Sequence, residues 1–229
     1  MPNEMSNTRA TRRERRAWYL YDFGNSAYAA VVLLAVYAKY FKDVVVSNAA
    51  GAAGTQYWSW ALGIAMLVVA VLSPILGALA DYSGSKKRFL FTFTALSCLF
   101  TASLFFVTKN AVVAGMALFI LAEIGYRGAQ VFYNSLLPDI AEKGEIGRVS
   151  GNGWAIGSAG GVLCLFLALG MIMLLGGDDT ARQALMTRLT FVLTAVYFAI
   201  FAIPIFTRVR ERPAAGELPS GSALLKLPF

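Results

Sequence analysis

The chain has 229 residues, 58% of them hydrophobic and only 14% charged, with a formal net charge of +7. So little polar surface cannot coat a soluble globule of this size, which excludes a soluble enzyme or binding domain and predicts an integral membrane protein. With no histidine and only two cysteines, Cys98 and Cys164, both inside apolar runs, the sequence implies no metal site, no disulfide and no cofactor.

Residues 1–17 form a basic tail in which Arg9, Arg12, Arg13, Arg15 and Arg16 crowd ahead of the first apolar run. A nucleic-acid partner is not needed to explain them, because cytoplasmic segments beside membrane spans carry excess Lys and Arg. Residues 18–38 then supply the roughly 20 apolar residues of a spanning helix, but include Asp22. A carboxylate near the bilayer centre costs at least about 2.5 kcal/mol, so it calls for a partner or water. Asp22, Asn25 and Ser26 share one helical face at i, i+3 and i+4 and read as the border of a solute or ion path. The competing reading has Asp22 capping the helix or pairing with Arg15 or Arg16.

The second span, residues 57–80, runs into "GALADYSGSKKR", where Ser73, Gly77 and Asp81 fall at i, i+4 and i+8. Two small residues and a carboxylate on one face let another backbone approach. Gly84 supplies the turn, and Lys86 and Lys87 open the third span, residues 89–108.

The fourth span, residues 111–137, carries Glu123, Arg127, Gln130 and Asn134 at i, i+4, i+7 and i+11, with Tyr126 and Tyr133 nearby. Such a stripe is too costly to face lipid. It reads either as an intrahelical Glu123 and Arg127 pair in the favourable i to i+4 order or as the wall of a hydrated cavity. Eleven residues at about 1.5 Å each put Glu123 roughly 16 Å from Asn134 along the axis. In the antiparallel first span, the Asp22, Asn25 and Ser26 face comes to about the depth of Asn134, which suggests one aqueous path between the two helices.

The fifth span, residues 152–177, begins with Gly153, Gly157 and Gly161 at four-residue intervals, a packing seam rather than a dinucleotide fingerprint, since no strand precedes it. The sixth span covers residues 189–207, and residues 208–229 form a Pro-, Gly- and Ser-rich linker or tail. Six spans put both termini on one side with the second-to-third and fourth-to-fifth loops, and those segments hold 14 of the 20 Lys and Arg. That side is therefore expected to be cytoplasmic, in a plasma or inner membrane. Trp18, Trp58, Trp60 and Trp154 near span ends read as headgroup-level anchors.

Taken together, "YDFGNSAYA", "GALADYSGSKK", "FYNSLLPDIA" and "VSGNGWAIGSAGG" resemble the vacuole-effluxer branch of the major facilitator superfamily, over residues 17 to about 207. The resemblance implies an all-α membrane fold of twelve helices in two six-helix bundles, each made of three-helix repeats, with the first and fourth helices lining a central path. It also implies a non-enzymatic secondary transporter that moves small solutes such as amino acids by alternating access, with the lipid bilayer as surroundings. Gly77, Asp81, Gly84, Lys86 and Lys87 would then belong to a conformational latch. Glu123, Arg127 and Gln130 would line the central site, Arg127 meeting a solute carboxylate and Glu123 an amine or a transferable proton. This chain holds only one six-helix half. Its glycine seams on the second and fifth helices are therefore expected to meet a missing second bundle or a second copy, and a non-transporting membrane subunit is the alternative function.

Overall fold

A computed structural model describes residues 12–46, 52–82, 85–142 and 144–211. Among these residues the secondary structure is entirely helical. In hydrocarbon every backbone N–H and C=O must be satisfied within the chain, which continuous helices do and open strands do not. Among the described residues five helices are long and apolar enough to cross a membrane: Ala53–Ala80, Lys86–Phe106, Val112–Ile140, Ile146–Gly176 and Thr180–Arg208.

The region of the first expected span differs from a plain helix. Helix α1 (Arg12–Ala27) passes into a π-helical stretch, Tyr28–Ala35, then a short α2 (Val36–Tyr40) and a second π stretch, Phe41–Val45. The run stays helical but never holds α winding for the full bilayer thickness. A π turn displaces the residues beyond it around the axis, and such turns are frequent at functional sites. This one leans on the helices Ile146–Gly176 and Thr180–Arg208.

The remaining helices are α3 (Ala52–Tyr82), α4 (Lys86–Ser103), α5 (Val112–Ser135), the short α6 (Leu137–Ile140), α7 (Ile146–Gly176) and α8 (Thr180–Arg208). Pro138 restarts the chain after α5, since proline suits the first turn of a helix. Helix α7 ends at Gly177, whose φ of 60° is a left-handed value that glycine adopts without penalty. Asp179 then caps α8, its Oδ1 accepting a hydrogen bond from the Ala181 N–H at 2.9 Å.

Neighbour relations exchange the two halves of the chain. Helix α1 packs on α7 and α8, just as α5 packs on α3 and α4, and α4 meets α8 between them. Glycines permit the close approaches, two of them at α1–α8 and α4–α5. A Cβ on Gly24 of α1 would lie 2.7 Å from Phe201 Cβ of α8, and one on Gly125 of α5 would lie 2.6 Å from the Ser97 backbone nitrogen of α4. Because lipid is as apolar as leucine, helices in a membrane associate through such close packing rather than through hydrophobic burial.

The Gly153, Gly157 and Gly161 seam is the main correction to the sequence expectation. These glycines do not await a second bundle: their missing Cβ positions are filled by Trp18, Asp22 and Ser26 of α1. The physical reason is that α1 carries large or polar side chains on this face and can reach α7 only where α7 has none. Gly77 behaves differently, with no atom within 4 Å of a Cβ placed there. It sits on α3, the most outward-facing span, only 11% buried over its apolar window against 44% for α5 and α8. Gly84 and the Asp81 side chain lie outside the described residues.

The four basic segments gather at one end of the bundle. Arg15 donates through Nε to the Ile140 carbonyl at 3.0 Å and pairs with Glu145 at 2.5 Å. Lys86 Nζ donates to the Ser135 carbonyl at 3.0 Å and pairs with Asp139 at 3.2 Å. Lys87 Nζ donates to the Val209 carbonyl at 2.8 Å, and its backbone N–H donates to Glu211. The α3–α4 turn, the α6–α7 link, the start of α1 and the end of α8 are thus tied together.

Glu145 is the hub of this end. The hydrogen bond from Arg15, reinforced by Arg148, holds its carboxyl below the ordinary value of 4.5. A depressed carboxylate pKa contributes stability that is present above the unfolded value and is lost as pH falls through the folded one. Thermal unfolding in lipid nanodiscs is therefore expected to show an acid limb below about pH 4.5. Glu145→Gln should flatten that limb and leave the neutral range nearly unchanged. An identical acid limb in the variant would show that Glu145 does not contribute.

Candidate solute pathway

Helix α5 carries its polar residues on one stripe, and the fold divides that stripe in two. At the upper part, Arg127 Nε donates to Glu123 Oε1 at 2.9 Å, with the glutamate side chain 0% exposed and the arginine 36%. The second carboxylate oxygen of Glu123 and the nearby Tyr28 hydroxyl find no hydrogen-bond partner among the described residues. Tyr28 stacks on Tyr126 with ring centroids 4.7 Å apart, and the Arg127 guanidinium lies over the Tyr126 ring, 5.3 Å from its centroid. The intrahelical pair anticipated as one alternative is formed, with its glutamate buried and its arginine partly exposed.

The lower part opens into a cavity of about 450 Å³ between α1, α5 and α7. Trp18, Asp22 and Ser26 line it from α1, and Ala29, Ala30 and Leu34 continue the wall along the π stretch. Tyr126, Gln130, Tyr133 and Asn134 line it from α5. Ser150, Trp154, Ser158, Gly161 and Val162 close it from α7. Its volume falls within the roughly 300–1,000 Å³ usual for small-molecule sites.

Of the residues singled out in the sequence, Asp22, Ser26, Gln130, Tyr133 and Asn134 come together at this cavity. Asn25 does not line it: the side chain is buried, and neither amide atom finds a partner among the described residues. Glu123 and Arg127 also stand outside the lining. Asp22 makes no ion pair among the described residues, and Arg15, proposed as its partner, is engaged instead by Glu145 and Ile140.

Gly157 is what lets the carboxylate sit there. A Cβ at that position would overlap the Asp22 carboxylate and lie 2.9 Å from Ser26 Oγ. The glycine seam and the polar face of α1 are one arrangement. Trp18 likewise departs from the anchor expectation: it is 2% exposed, its Nε1 donates to the Tyr133 carbonyl at 3.1 Å, and its ring stacks on Tyr133 at 4.3 Å. Buried tryptophan finds a partner for its N–H in this way. Trp154, 74% exposed, stands at the cavity edge.

Sequence reasoning missed Ser150, Trp154 and Ser158 as cavity residues. Their i, i+4, i+8 spacing was present but lay beside the more conspicuous glycine repeat.

The profile of the family described as "Vacuole effluxer Atg22 like" matches residues 44–229. An "Uncharacterized MFS-type transporter YxiO" from Bacillus subtilis (strain 168) is 31% identical over 202 residues, covering 87% of this chain and 47% of the relative. An "Uncharacterized protein" from Aquifex aeolicus (strain VF5) is 30% identical over 164 residues, covering 70% of this chain and 40% of the relative. The chain thus spans about half the length, or less, of these relatives. A helical bundle with membrane-spanning helices, a polar cavity between α1, α5 and α7, and a profile match across most of the chain agree, and the chain belongs to the vacuole effluxer Atg22-like family.

Proposed function

We propose that this bundle is one half of a secondary transporter and that the cavity between α1, α5 and α7 is its wall of the solute path. The observation that carries the reading is the convergence of Asp22 and Ser26 from α1 with Gln130 and Asn134 from α5 on one cavity. Polar groups inside spanning helices are expensive and mark solute or ion routes. The solute class is small and amino-acid-like, in keeping with the effluxer family, and the cycle is alternating access against a complementary bundle or second copy. The basic end faces the cytoplasm, and the membrane is the plasma or inner membrane. Glu123 and Arg127 hold the upper part of the wall from outside the cavity lining, with Glu123 as the candidate proton carrier.

The test is uptake of a labelled amino-acid mixture into vesicles containing the protein as its native locus encodes it. The double variant Gln130→Leu with Asn134→Leu is expected to lower uptake about 10-fold or more, because two polar contacts to a desolvated solute are lost. Unchanged uptake in that variant, or no flux above protein-free vesicles, would overturn the reading.

A further inference from the structure

The cavity has a charge pattern that its role as a pathway does not by itself require. Among the described residues its lining contains one side chain charged at neutral pH, Asp22, and no Lys or Arg. The only other charged groups on the facing stretch of α5, Glu123 and Arg127, are paired with each other and stand outside the lining. Asp22 itself has no cationic partner among the described residues. An unpaired carboxylate in a largely apolar bundle is costly, and a cation brought into the cavity relieves that cost.

The rest of the lining selects among cations. Trp154, 74% exposed at the cavity edge, offers an aromatic face to an organic ammonium, whereas the rings of Tyr126 and Tyr133 are already stacked on Tyr28 and Trp18. The hydroxyls of Ser26 and Ser158 and the amide of Gln130 are acceptors for the remaining N–H protons of a primary amine. A solute bearing only a carboxylate would meet Asp22 as a like charge with no cation to compensate it.

We infer that the cavity recognises a small solute through a protonated amine, with Asp22 as the ammonium receptor and the neighbouring hydroxyl and amide acceptors completing its contacts. This rests on the cavity being a solute site and names the chemistry of what enters it. It also transfers the amine-binding role from Glu123, which is buried and engaged by Arg127, to Asp22.

Calorimetric binding to the purified chain in nanodiscs tests the assignment with three probes of one carbon skeleton: L-leucine, isopentylamine and 4-methylpentanoate. Leucine and isopentylamine are expected to bind and 4-methylpentanoate is not. Asp22→Asn should weaken the two amines about 10-fold or more, as expected for loss of a charge-assisted contact, while Asp22→Glu stays within a few-fold. Sodium at matched ionic strength should not displace the amine. Equal binding of 4-methylpentanoate, retained affinity in Asp22→Asn, no binding of either amine to the unaltered chain, or displacement by sodium would each overturn the inference. Vesicle flux separates the two readings. Flux that ignores Asp22 sinks the ammonium site and leaves transport standing, whereas Asp22-dependent amine binding without flux does the reverse.

Discussion

Arg127→Met is expected to destabilise the bundle by about 3–5 kcal/mol, the range seen when one partner of a buried ion pair is removed. The estimate follows from which charge is left behind. Glu123 is 0% exposed, and its Oε1 accepts from Arg127 Nε at 2.9 Å, while its Oε2 finds no protein partner among the described residues. Removing the guanidinium strands a fully buried carboxylate, and partial exposure of the arginine does not soften that. The double variant Glu123→Gln with Arg127→Met should recover most of the loss, because a neutral amide is far cheaper to bury than a charge. Reversible unfolding in bicelles measures both. A loss below about 1 kcal/mol in the single variant would place the pair with the weak, solvent-screened class instead.

The second large effect is at the contact between α4 and α5. A Cβ on Gly125 would fall 2.6 Å from the Ser97 backbone nitrogen, 2.9 Å from Ser97 Cα and 3.0 Å from the Phe93 carbonyl oxygen. All three neighbours are backbone, so no rotamer change makes room and the helices must part. Gly125→Ala is therefore expected to cost about 1–3 kcal/mol, as for other overpacked sites. Gly77→Ala is the matched control. Nothing lies within 4 Å of its Cβ position, so alanine should leave the stability of this chain unchanged or raise it by up to about 1 kcal/mol through helix propensity. Equal losses at both positions would show that backbone approach is not what Gly125 serves.

These two glycines show where sequence reasoning reached and where it stopped. A four-residue glycine repeat is conspicuous, so Gly153, Gly157 and Gly161 were legible as a packing seam. Their partner was not legible, because a smooth helical face fits any helix of complementary relief. Only the packed bundle puts Trp18, Asp22 and Ser26 of α1 against them. Gly125 falls between Glu123 and Arg127 in sequence but on another face of α5, and nothing in the sequence marks it, although it bears the closest backbone contact with α4.

The candidate site divides along the same line. Asp22, Gln130 and Asn134 could be picked out singly because hydrocarbon penalises polar groups and helical spacing puts them on faces. Their meeting with Ser150 and Ser158 depends on α1 lying between α7 and α8, a relation with no local signature. The same holds for the change from α to π winding after Ala27.

Composition and run length alone were enough to make this a helical membrane protein with its positive segments on one side, since those properties answer to the bilayer, a solvent that acts on each segment separately. Which stripe residues pair with each other and which face a cavity was settled by helix packing, because that outcome depends on shape matching between segments far apart in the chain.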